Sequence, residues 1–363
     1  MHVLKQLGLF DDILAHGARI DRLHGTIPGG RTVLDTHYRH FDQQAYGIGL
    51  HRGTLFSALW QALRHTDVEI RCGVEVNRIT QQANHASLFQ GENPLGDFDA
   101  AIIADGTHSQ LRGQLDIPVV AKPYPWGALW AVVPDDGSTD GVLRQWYRNA
   151  SQMLGVMPTG RAWRESGRLL SIFWSLHREA LPAWREQTLD DWKRGVEQLA
   201  PIGKLLAHIT SPAQLAYASY ADIIMPRWHD RRVVCLGDCA HATSPQLGQG
   251  ANLALIDAWV LAQCVAEREN VPEALAQYSK KRKTHLRYYQ TASRALTPLF
   301  QSHSRIGSGL RDLGMGLACR LPYIRGQMGL TLSGAKTGWL VGKLQLGETK
   351  EAAHFNAASK ETP

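Results

Sequence analysis

The sequence has few cysteines, lacks a long hydrophobic run and carries only a small excess of positive charge. Its 5 cysteines are an odd number spread along 363 residues, which argues against a disulfide framework and favours reduced thiols in a cytoplasmic protein. No apolar run approaches the ~20 residues that a membrane-spanning helix needs, and we expect no signal peptide. A formal net charge of +6 is too diffuse to predict nucleic-acid binding, so an anionic small molecule or cofactor is the simpler ligand.

Composition and hydrophobic periodicity predict a globular α/β protein. Hydrophobic residues make up 44% and charged residues 20% of the chain, which is typical of globular proteins. The first residues have helical spacing, an amphipathic helix is predicted from His51, and short strands are predicted in residues 68–79 and 86–90. The predicted division is a discontinuous first domain in residues 1–113 and 229–300, a sheet-rich second domain in residues 114–228, a C-terminal helical segment in residues 301–340, and a disordered tail in residues 341–363.

Two predicted strands of the first domain end in a turn that carries an aspartate and a glycine. Residues 100–104 are apolar and run into Asp105-Gly106, and residues 233–236 run into Gly237-Asp238. Open α/β sheets bind ligands at the carboxyl ends of their strands. A carboxylate at that edge can accept hydrogen bonds from sugar-like hydroxyl groups. Both turns are therefore predicted to contact a ligand.

The loop after the second turn is predicted to open a buried helix. Pro245 stops any helix before the loop, and Gly248 and Gly250 remove side chains that would keep a ligand away from the backbone. The amide groups of Gly250, Ala251 and Asn252 can then face an anion or a polar ring at the helix N-terminus. A simpler interpretation, in which the glycines only form a turn and the preceding aspartate caps a helix, remains open.

Two other chemistries are not favoured by the sequence. Cys235, Cys239 and His241 invite a zinc interpretation, but Cys235 lies in a buried run and no second pair of ligands is nearby, so we expect no metal site. A serine hydrolase would need a Gly-x-Ser-x-Gly turn, which the sequence does not contain. We therefore expect neither a metal ion nor a dedicated nucleophile.

The ordered string of residues after the second strand resembles a signature of the class A flavin-dependent monooxygenases. This is the p-hydroxybenzoate hydroxylase family, which includes ubiquinone-biosynthesis and salicylate-type hydroxylases. The resemblance implies that Asp238 bonds the ribityl chain of FAD and that residues 248–252 lie against the pyrimidine side of the isoalloxazine. The matching positions are Gly237, Asp238, Ala240, His241, Pro245, Gly248, Gly250 and Asn252.

Two further motifs agree with this resemblance. The family's Asp-Gly-x-x-Ser-x-x-Arg motif, which implies contacts with FAD and with the approaching nicotinamide cofactor, is matched by Asp105, Gly106, Ser109 and Arg112. The family's Arg-x-x-Leu-x-x-x-Leu helix, which implies a contact between Arg52 and FAD, is matched by Arg52, Leu55 and Leu59. Taken by itself, Arg52 is explained equally simply as a solvated residue at a helix start.

The sequence departs from the family pattern in one respect. Each Gly-x-Gly in the chain lacks the third glycine of Gly-x-Gly-x-x-Gly, the motif that holds the ADP half of FAD on a helix N-terminus. The predicted fold class is therefore α/β, with an incomplete Rossmann-like FAD-binding domain in which the first βαβ unit is missing, an inserted sheet-rich domain and C-terminal helices. We expect residues 1–363 to bind FAD weakly or not at all unless such a unit is supplied.

The activity that the resemblance implies is hydroxylation of a phenol-like small molecule. It would consume NAD(P)H and O₂ and proceed through a flavin hydroperoxide, so the cofactor would carry the difficult chemistry. Aromatic residues of the second domain are candidates for covering the substrate, although packing within a sheet explains each of them as well. These candidates are Trp126, Trp130, Trp146 and Tyr220. An alternative is a non-catalytic remnant of the flavoprotein fold that acts as a binding protein.

A basic run in residues 280–287 is the one candidate for membrane contact. It contains Lys280, Lys281, Arg282, Lys283 and Arg287. A run of this kind is more often a solvated helix face than a membrane contact, and we favour that interpretation. The sequence predicts neither the oligomeric state nor the identity of the substrate.

Overall fold

The computed structural model describes residues 1–340 and 342–346. Residues 347–363, which make up most of the predicted disordered tail, lie outside the described residues. The helices are α1 (His2–Gln6), α2 (Phe10–His16), α3 (Arg52–Arg64), α4 (Leu181–Glu186), α5 (Leu189–Glu197), α6 (Gly203–Leu206), α7 (Asp238–His241), α8 (Gly250–Ala266), α9 (Val271–Phe300), α10 (Arg305–Leu310), α11 (Gly316–Ala318) and α12 (Pro322–Leu332). A π-helical turn, Arg311–Met315, joins α10 to α11.

The strands form one large sheet and several small ones. They are β1 (Ala18–Ile20), β2 (Arg22–Thr26), β3 (Thr32–His37), β4 (Gly47–Gly49), β5 (Arg78–Gln81), β6 (Ala86–Gln90), β7 (Asn93–Phe98), β8 (Ala101–Ile103), β9 (Val120–Pro123), β10 (Trp126–Pro134), β11 (Val142–Arg148), β12 (Gln152–Arg161), β13 (Arg168–His177), β14 (Ala216–Ala218), β15 (Ala221–Ile224), β16 (His229–Asp230) and β17 (Val233–Cys235).

The large sheet has seven strands in the order β14-β10-β13-β12-β11-β2-β3. Four of its strands, β10 to β13, lie in the second domain, which was predicted to be rich in sheet, and they pair antiparallel. β2 pairs parallel with β11, so β2 and β3 bring residues 22–37 into this sheet. Those residues belong to the range 1–113 that the sequence analysis placed in the first domain. The sheet therefore takes strands from both predicted ranges.

Side chains alternate between the two faces of the large sheet, as strand geometry requires. One face, which includes Leu129 and Leu154, packs on α5 and α6 through residues such as Trp192 and Val196. On the other face a second cluster gathers around Phe173 and includes residues of α9 and the π-helical turn. The second face of the sheet is consequently directed towards the helices of the first domain.

One local prediction is confirmed with an interruption, and another is wrong over most of its length. The N-terminal helical pattern is interrupted at Gly8, whose φ of 71° ends α1 before α2 begins. Residues 68–77, all of which are described, contain no strand, and only the end of the predicted segment pairs as β5. Its apolar side chains are exposed at Val68, Ile70 and Val74, so alternation of hydrophobicity did not reflect burial here.

A three-stranded sheet of the first domain positions the predicted ligand turns. Its order is β16-β17-β8, with β17 parallel to β8. α8 and α9 pack over it in the largest hydrophobic cluster, which includes Val233, Val234 and Ile103. No helix within residues 1–340 and 342–346 combines the length and hydrophobicity that crossing a bilayer requires.

Candidate functional site

The two predicted ligand turns leave the same edge of one sheet from neighbouring strands. β17 and β8 run parallel with Val233 opposite Ala101, and the amide of Leu236 donates to the carbonyl of Ile103 at 2.9 Å. Asp105-Gly106 follows one strand and Gly237-Asp238 follows the other. Both aspartates are exposed. The structure therefore brings these two motifs together, as an α/β ligand site requires.

Gly237 is required by the backbone at the second turn. Its φ of 57° and ψ of −139° lie in a region that residues with a side chain rarely adopt. A Cβ at this position would also lie 3.2 Å from Cβ of Ala254 in α8. The turn thus redirects the chain from a buried strand into α7 and leaves the Asp238 side chain in solvent.

The loop that contains Gly248 and Gly250 places the start of α8 beside Asp238. An ideal Cβ at Gly250 would lie 3.8 Å from Oδ1 of Asp238. Gly248 has a left-handed φ of 61°, and a Cβ there would meet no described atom within 4 Å. Within the described part of the chain, no side chain caps the first turn of α8. The first amide groups of this helix are therefore available to a ligand next to the Asp238 carboxylate.

Helices from the C-terminal half hold this loop in place. The Oγ of Ser293 in α9 donates to the carbonyl of Ser244 at 2.8 Å. Gln249 Nε2 donates to the carbonyl of Leu332 at 2.8 Å, and Asn252 Nδ2 donates to Gln249 Oε1 at 2.8 Å. The Asn252 side chain therefore organises the loop, whereas its backbone amide belongs to the open helix start.

Arg112 lies beneath both turns and joins them. Its side chain is buried, with Nη1 donating to the carbonyl of Cys239 at 2.8 Å and Nη2 donating to the carbonyl of Thr107 at 3.2 Å. The Oγ of Ser109 accepts from the Arg112 amide at 3.1 Å. The serine and arginine of this motif thus connect the first turn to α7. A structural role of this kind was not predicted from the motif.

A buried aspartate supports the second turn from below. Asp257 in α8 is fully buried and accepts from the Gly237 amide at 3.0 Å, from Arg282 Nε at 2.7 Å and from His241 Nε2. Burial by itself would raise the pKa of Asp257, but His241 and Arg282 outweigh it and lower that pKa to about 2. Asp257 was not predicted from the sequence, although it is the only charged residue within α8.

The same network changes the interpretation of the basic run. Arg282 is fully buried against Asp257, and Lys281 pairs with Glu267 at 3.1 Å. Lys280, Lys283 and Arg287 are exposed. The run is therefore a solvated face only in part, because one of its cations neutralises a carboxylate inside the protein.

The remaining predicted cofactor residue, Arg52, is exposed at the first position of α3. The hydroxyl of Thr54 donates to the carbonyl of Arg161 at 2.8 Å and fixes the start of α3 on β12. No hydrogen bond or ion pair links Arg52 to either turn among the described residues. Its predicted contact with FAD remains a prediction.

The aromatic candidates of the large sheet do not lie together. Trp130 Nε1 donates to the Tyr220 hydroxyl at 3.1 Å on the face that is directed towards the first domain. Trp126 is buried and packs edge-on against His177, with ring centroids 5.0 Å apart. Trp146 packs in the cluster on the opposite face. Only Trp130 and Tyr220 therefore contact each other on the side where a substrate could approach the turns.

Cys235 and Cys239 form a buried thiol pair beside the second turn. Hydrogen bonding to Cys239, followed by burial, raises the pKa of Cys235, whereas the same hydrogen bond lowers the pKa of Cys239. Within residues 1–340 and 342–346, no cluster of His, Cys, Asp or Glu has a composition that could hold a metal ion.

We expect stability to fall at acidic pH through His285. Burial, and then Arg282, lowers the pKa of His285 to about 4 from an ordinary value of 6.5. Below pH 6.5 only the unfolded chain takes up this proton, so protonation favours unfolding until pH 4 is reached. In urea titrations, the wild type should lose about 2–3 kcal/mol more than His285→Gln between pH 7 and pH 4. Parallel pH curves for the two proteins would contradict this.

The chain matches a known protein family. The family model of the FAD binding domain matches residues 1–292. Among curated proteins, the putative FAD-dependent monooxygenase YetM of Bacillus subtilis is 25% identical over 289 residues, which cover 77% of this chain and 75% of that protein. The 3-amino-4-hydroxybenzoate 2-monooxygenase of Streptomyces cremeus is 28% identical over 302 residues, which cover 78% of this chain and 71% of that protein.

Solved structures show the same fold. HpxO of Klebsiella pneumoniae, complexed with FAD and uric acid, superposes with a TM-score of 0.75 at 19% identity over 92% of this chain and 85% of that one. The oxygenase of 2-methyl-3-hydroxypyridine-5-carboxylic acid has a TM-score of 0.71 at 18% identity over 93% of this chain and 85% of that one. The predicted α/β fold, the resemblance and the enzyme class are confirmed. The chain belongs to the FAD binding domain family, and both curated relatives named above carry the name of a monooxygenase.

Proposed function

We propose that this protein hydroxylates an aromatic small molecule with FAD as cofactor, NAD(P)H as reductant and O₂ as oxidant. One observation carries the proposal: the two turns and the open start of α8 lie together at one edge of a sheet. The overall reaction converts an aromatic C–H, O₂, NAD(P)H and a proton into a phenol, water and NAD(P)⁺. Family membership supports FAD, and the relatives' names support an aromatic substrate.

The residues at this edge fit the ribityl and ring half of FAD. Asp238 would accept from ribityl hydroxyls, since its carboxylate is exposed and lies beside the start of α8. Pro245 and the amides of residues 248–252 would lie along the ring, where glycines keep the backbone accessible. Gly106 suits close approach of a ligand, because its φ is 86° and no described atom lies within 4 Å of its Cβ position. Asp105 and Arg52 are exposed and would provide the remaining polar contacts.

When bound, FAD supplies the redox chemistry that places one oxygen atom of O₂ on the substrate. The protein's own residues orient the ring and exclude water. Trp130 and Tyr220 are the side chains we propose for positioning the substrate, since they form a hydrogen-bonded aromatic pair on the face that is directed towards the first domain. Burial raises the pKa of Tyr220, so its hydroxyl stays protonated at neutral pH and can donate a hydrogen bond.

We also propose a cytoplasmic location and a division into an FAD-binding part, residues 1–113 and 229–300, and a substrate part, residues 114–228. The location is supported by the 5 free cysteines, since thiols stay reduced in the cytoplasm. The separate hydrophobic clusters of the three-stranded sheet and of the large sheet support two such parts, with residues 22–37 joining the large sheet.

The experiment measures O₂ uptake and phenol formation by the purified chain with FAD in excess. NADH and NADPH are supplied in parallel, with hydroxylated benzoates, hydroxypyridines and purines as trial substrates. Substrate-dependent O₂ consumption that matches the hydroxylated product would support the proposal. FAD binding without any substrate-dependent O₂ consumption, in both this chain and an N-terminally extended one, would instead favour a non-catalytic binding protein, which the comparisons do not favour.

A further inference from the structure

The C-terminal helices expose a row of large aliphatic side chains. α10, the π-helical turn and α11 form a continuous helical stretch from residue 305 to 318. Along it, four large aliphatic side chains, separated by four, three and four residues, form an exposed stripe on the solvent side. They are Ile306 at 78%, Leu310 at 64%, Leu313 at 69% and Leu317 at 64% exposure.

The stripe lies opposite the face that anchors this segment to the protein. The buried residues of this segment are interspersed with the exposed ones along the sequence. They are Ser308, Arg311 and Cys319. Arg311 stacks over Tyr147 and donates to the carbonyl of Asn149 at 2.9 Å. The segment is therefore held firmly by its inner face. Four exposed aliphatic side chains in one row exceed what isolated surface hydrophobes explain.

A second exposed apolar group follows on the same C-terminal segment. Leu321, Tyr323, Trp339 and Leu340 are each more than half exposed. The Tyr323 hydroxyl donates to the carbonyl of Leu340 at 2.7 Å, so the aromatic ring lies next to residues 339–340. Tyrosine and tryptophan with one apolar and one polar side are the side chains that favour the boundary between lipid and water.

Within this segment the exposed charges are positive. Residues 301–346 contain six lysines or arginines and one acidic residue, Asp312. Asp312 is neutralised by Arg311 at 2.7 Å, whereas Arg320 and Lys343 are exposed. An apolar stripe bordered by cations is complementary to an anionic lipid surface. A second copy of the same positive surface would be repelled.

We propose that this surface, residues 306, 310, 313, 317, 321, 323, 339 and 340, docks on an anionic lipid bilayer. The aliphatic and aromatic side chains insert at the level of the head groups, and Arg320 and Lys343 contact lipid phosphates. The 17 residues that follow position 346 contain one large apolar side chain, Phe355, which is too little to cover the stripe. This contact is distinct from the basic run in residues 280–287.

Vesicle sedimentation of the full chain tests this proposal. The wild type should bind vesicles of phosphatidylcholine with phosphatidylglycerol and bind pure phosphatidylcholine more weakly. The double variant Leu313→Glu/Leu317→Glu should lower the partition coefficient at least about tenfold, because two inserted side chains become charged. Its matched control is Phe56→Glu/Val68→Glu, which changes two equally exposed apolar residues elsewhere and should bind like the wild type.

Several results would overturn the proposal. The first is that the wild type does not bind vesicles, and the second is that both double variants lose vesicle binding equally. The third is that light scattering shows a wild-type dimer, which Leu313→Glu/Leu317→Glu converts to a monomer. If that variant does not fold, as judged by circular dichroism, Arg320→Glu/Lys343→Glu decides the question. This second variant should abolish the preference for phosphatidylglycerol, and an unchanged preference would count against the proposal.

Discussion

Asp257→Ala is expected to lower the free energy of unfolding by about 3–5 kcal/mol. The substitution removes the carboxylate that faces the buried Arg282 and His241 side chains and leaves a cation without its counter-ion inside the protein. It also removes the acceptor of the Gly237 amide, so the turn that presents Asp238 loses its support. Urea denaturation followed by circular dichroism measures the stability, and FAD titration measures the accompanying loss of the site.

The control for this experiment is an exposed ion pair of the same helices. Glu267 pairs with Lys281 at 3.1 Å at the protein surface, and Glu267→Ala should cost less than about 1 kcal/mol. Asp257→Asn keeps the shape of the side chain but cannot neutralise Arg282, so it too should destabilise strongly. If Asp257→Ala and Glu267→Ala unfold at the same urea concentration, the buried network does not support the turn.

The substitution Arg112→Met should reduce FAD affinity at least about tenfold. The guanidinium is the group that joins the first turn to α7 through the carbonyls of Thr107 and Cys239, and hydrogen bonds to a charged group contribute about 1.5–3 kcal/mol each. Methionine retains the length of the side chain and loses both bonds. The two turns would then be free to move apart, and a bound ligand would lose contacts on one side.

Arg232→Met provides a comparison in which the arginine is less buried than Arg112. Arg232 also donates to two backbone carbonyls, those of Ala83 and Asp99, both at 2.9 Å, but at the opposite end of β8 and β17. Arg232→Met should lower the free energy of unfolding, and it should leave the FAD affinity of the folded protein nearly unchanged. Equal effects of the two substitutions on affinity would mean that Arg112 acts only through general stability.

The parts of the site that the sequence predicted are those encoded locally. The turn after each buried strand follows from an apolar run that ends at glycine and aspartate, and Gly248 and Gly250 mark the loop before α8. Residues within a few positions of one another determine these features, so a single sequence contains the information. The proximity of the two turns followed from the rule that parallel strands end at one edge.

The features that sequence reasoning missed depend on contacts between distant residues. Arg282 belongs to a basic run on a helix, and its burial follows from a partner, Asp257, that lies 25 positions earlier. β2 joins the large sheet by pairing with β11, more than a hundred residues away. No local periodicity indicates such pairings. A lone charged residue in an apolar helix was the one available signal for Asp257.

The most direct test of the account is FAD titration of Asp238→Ala beside Asp99→Ala, followed by flavin fluorescence up to high FAD concentration. Both aspartates are exposed, and Asp99 lies at the opposite end of β8 from the two turns. If Asp238 bonds the ribityl hydroxyls, its removal should raise the dissociation constant at least about tenfold, and Asp99→Ala should leave it unchanged. Equal affinity in the two variants would contradict a flavin site at this sheet edge.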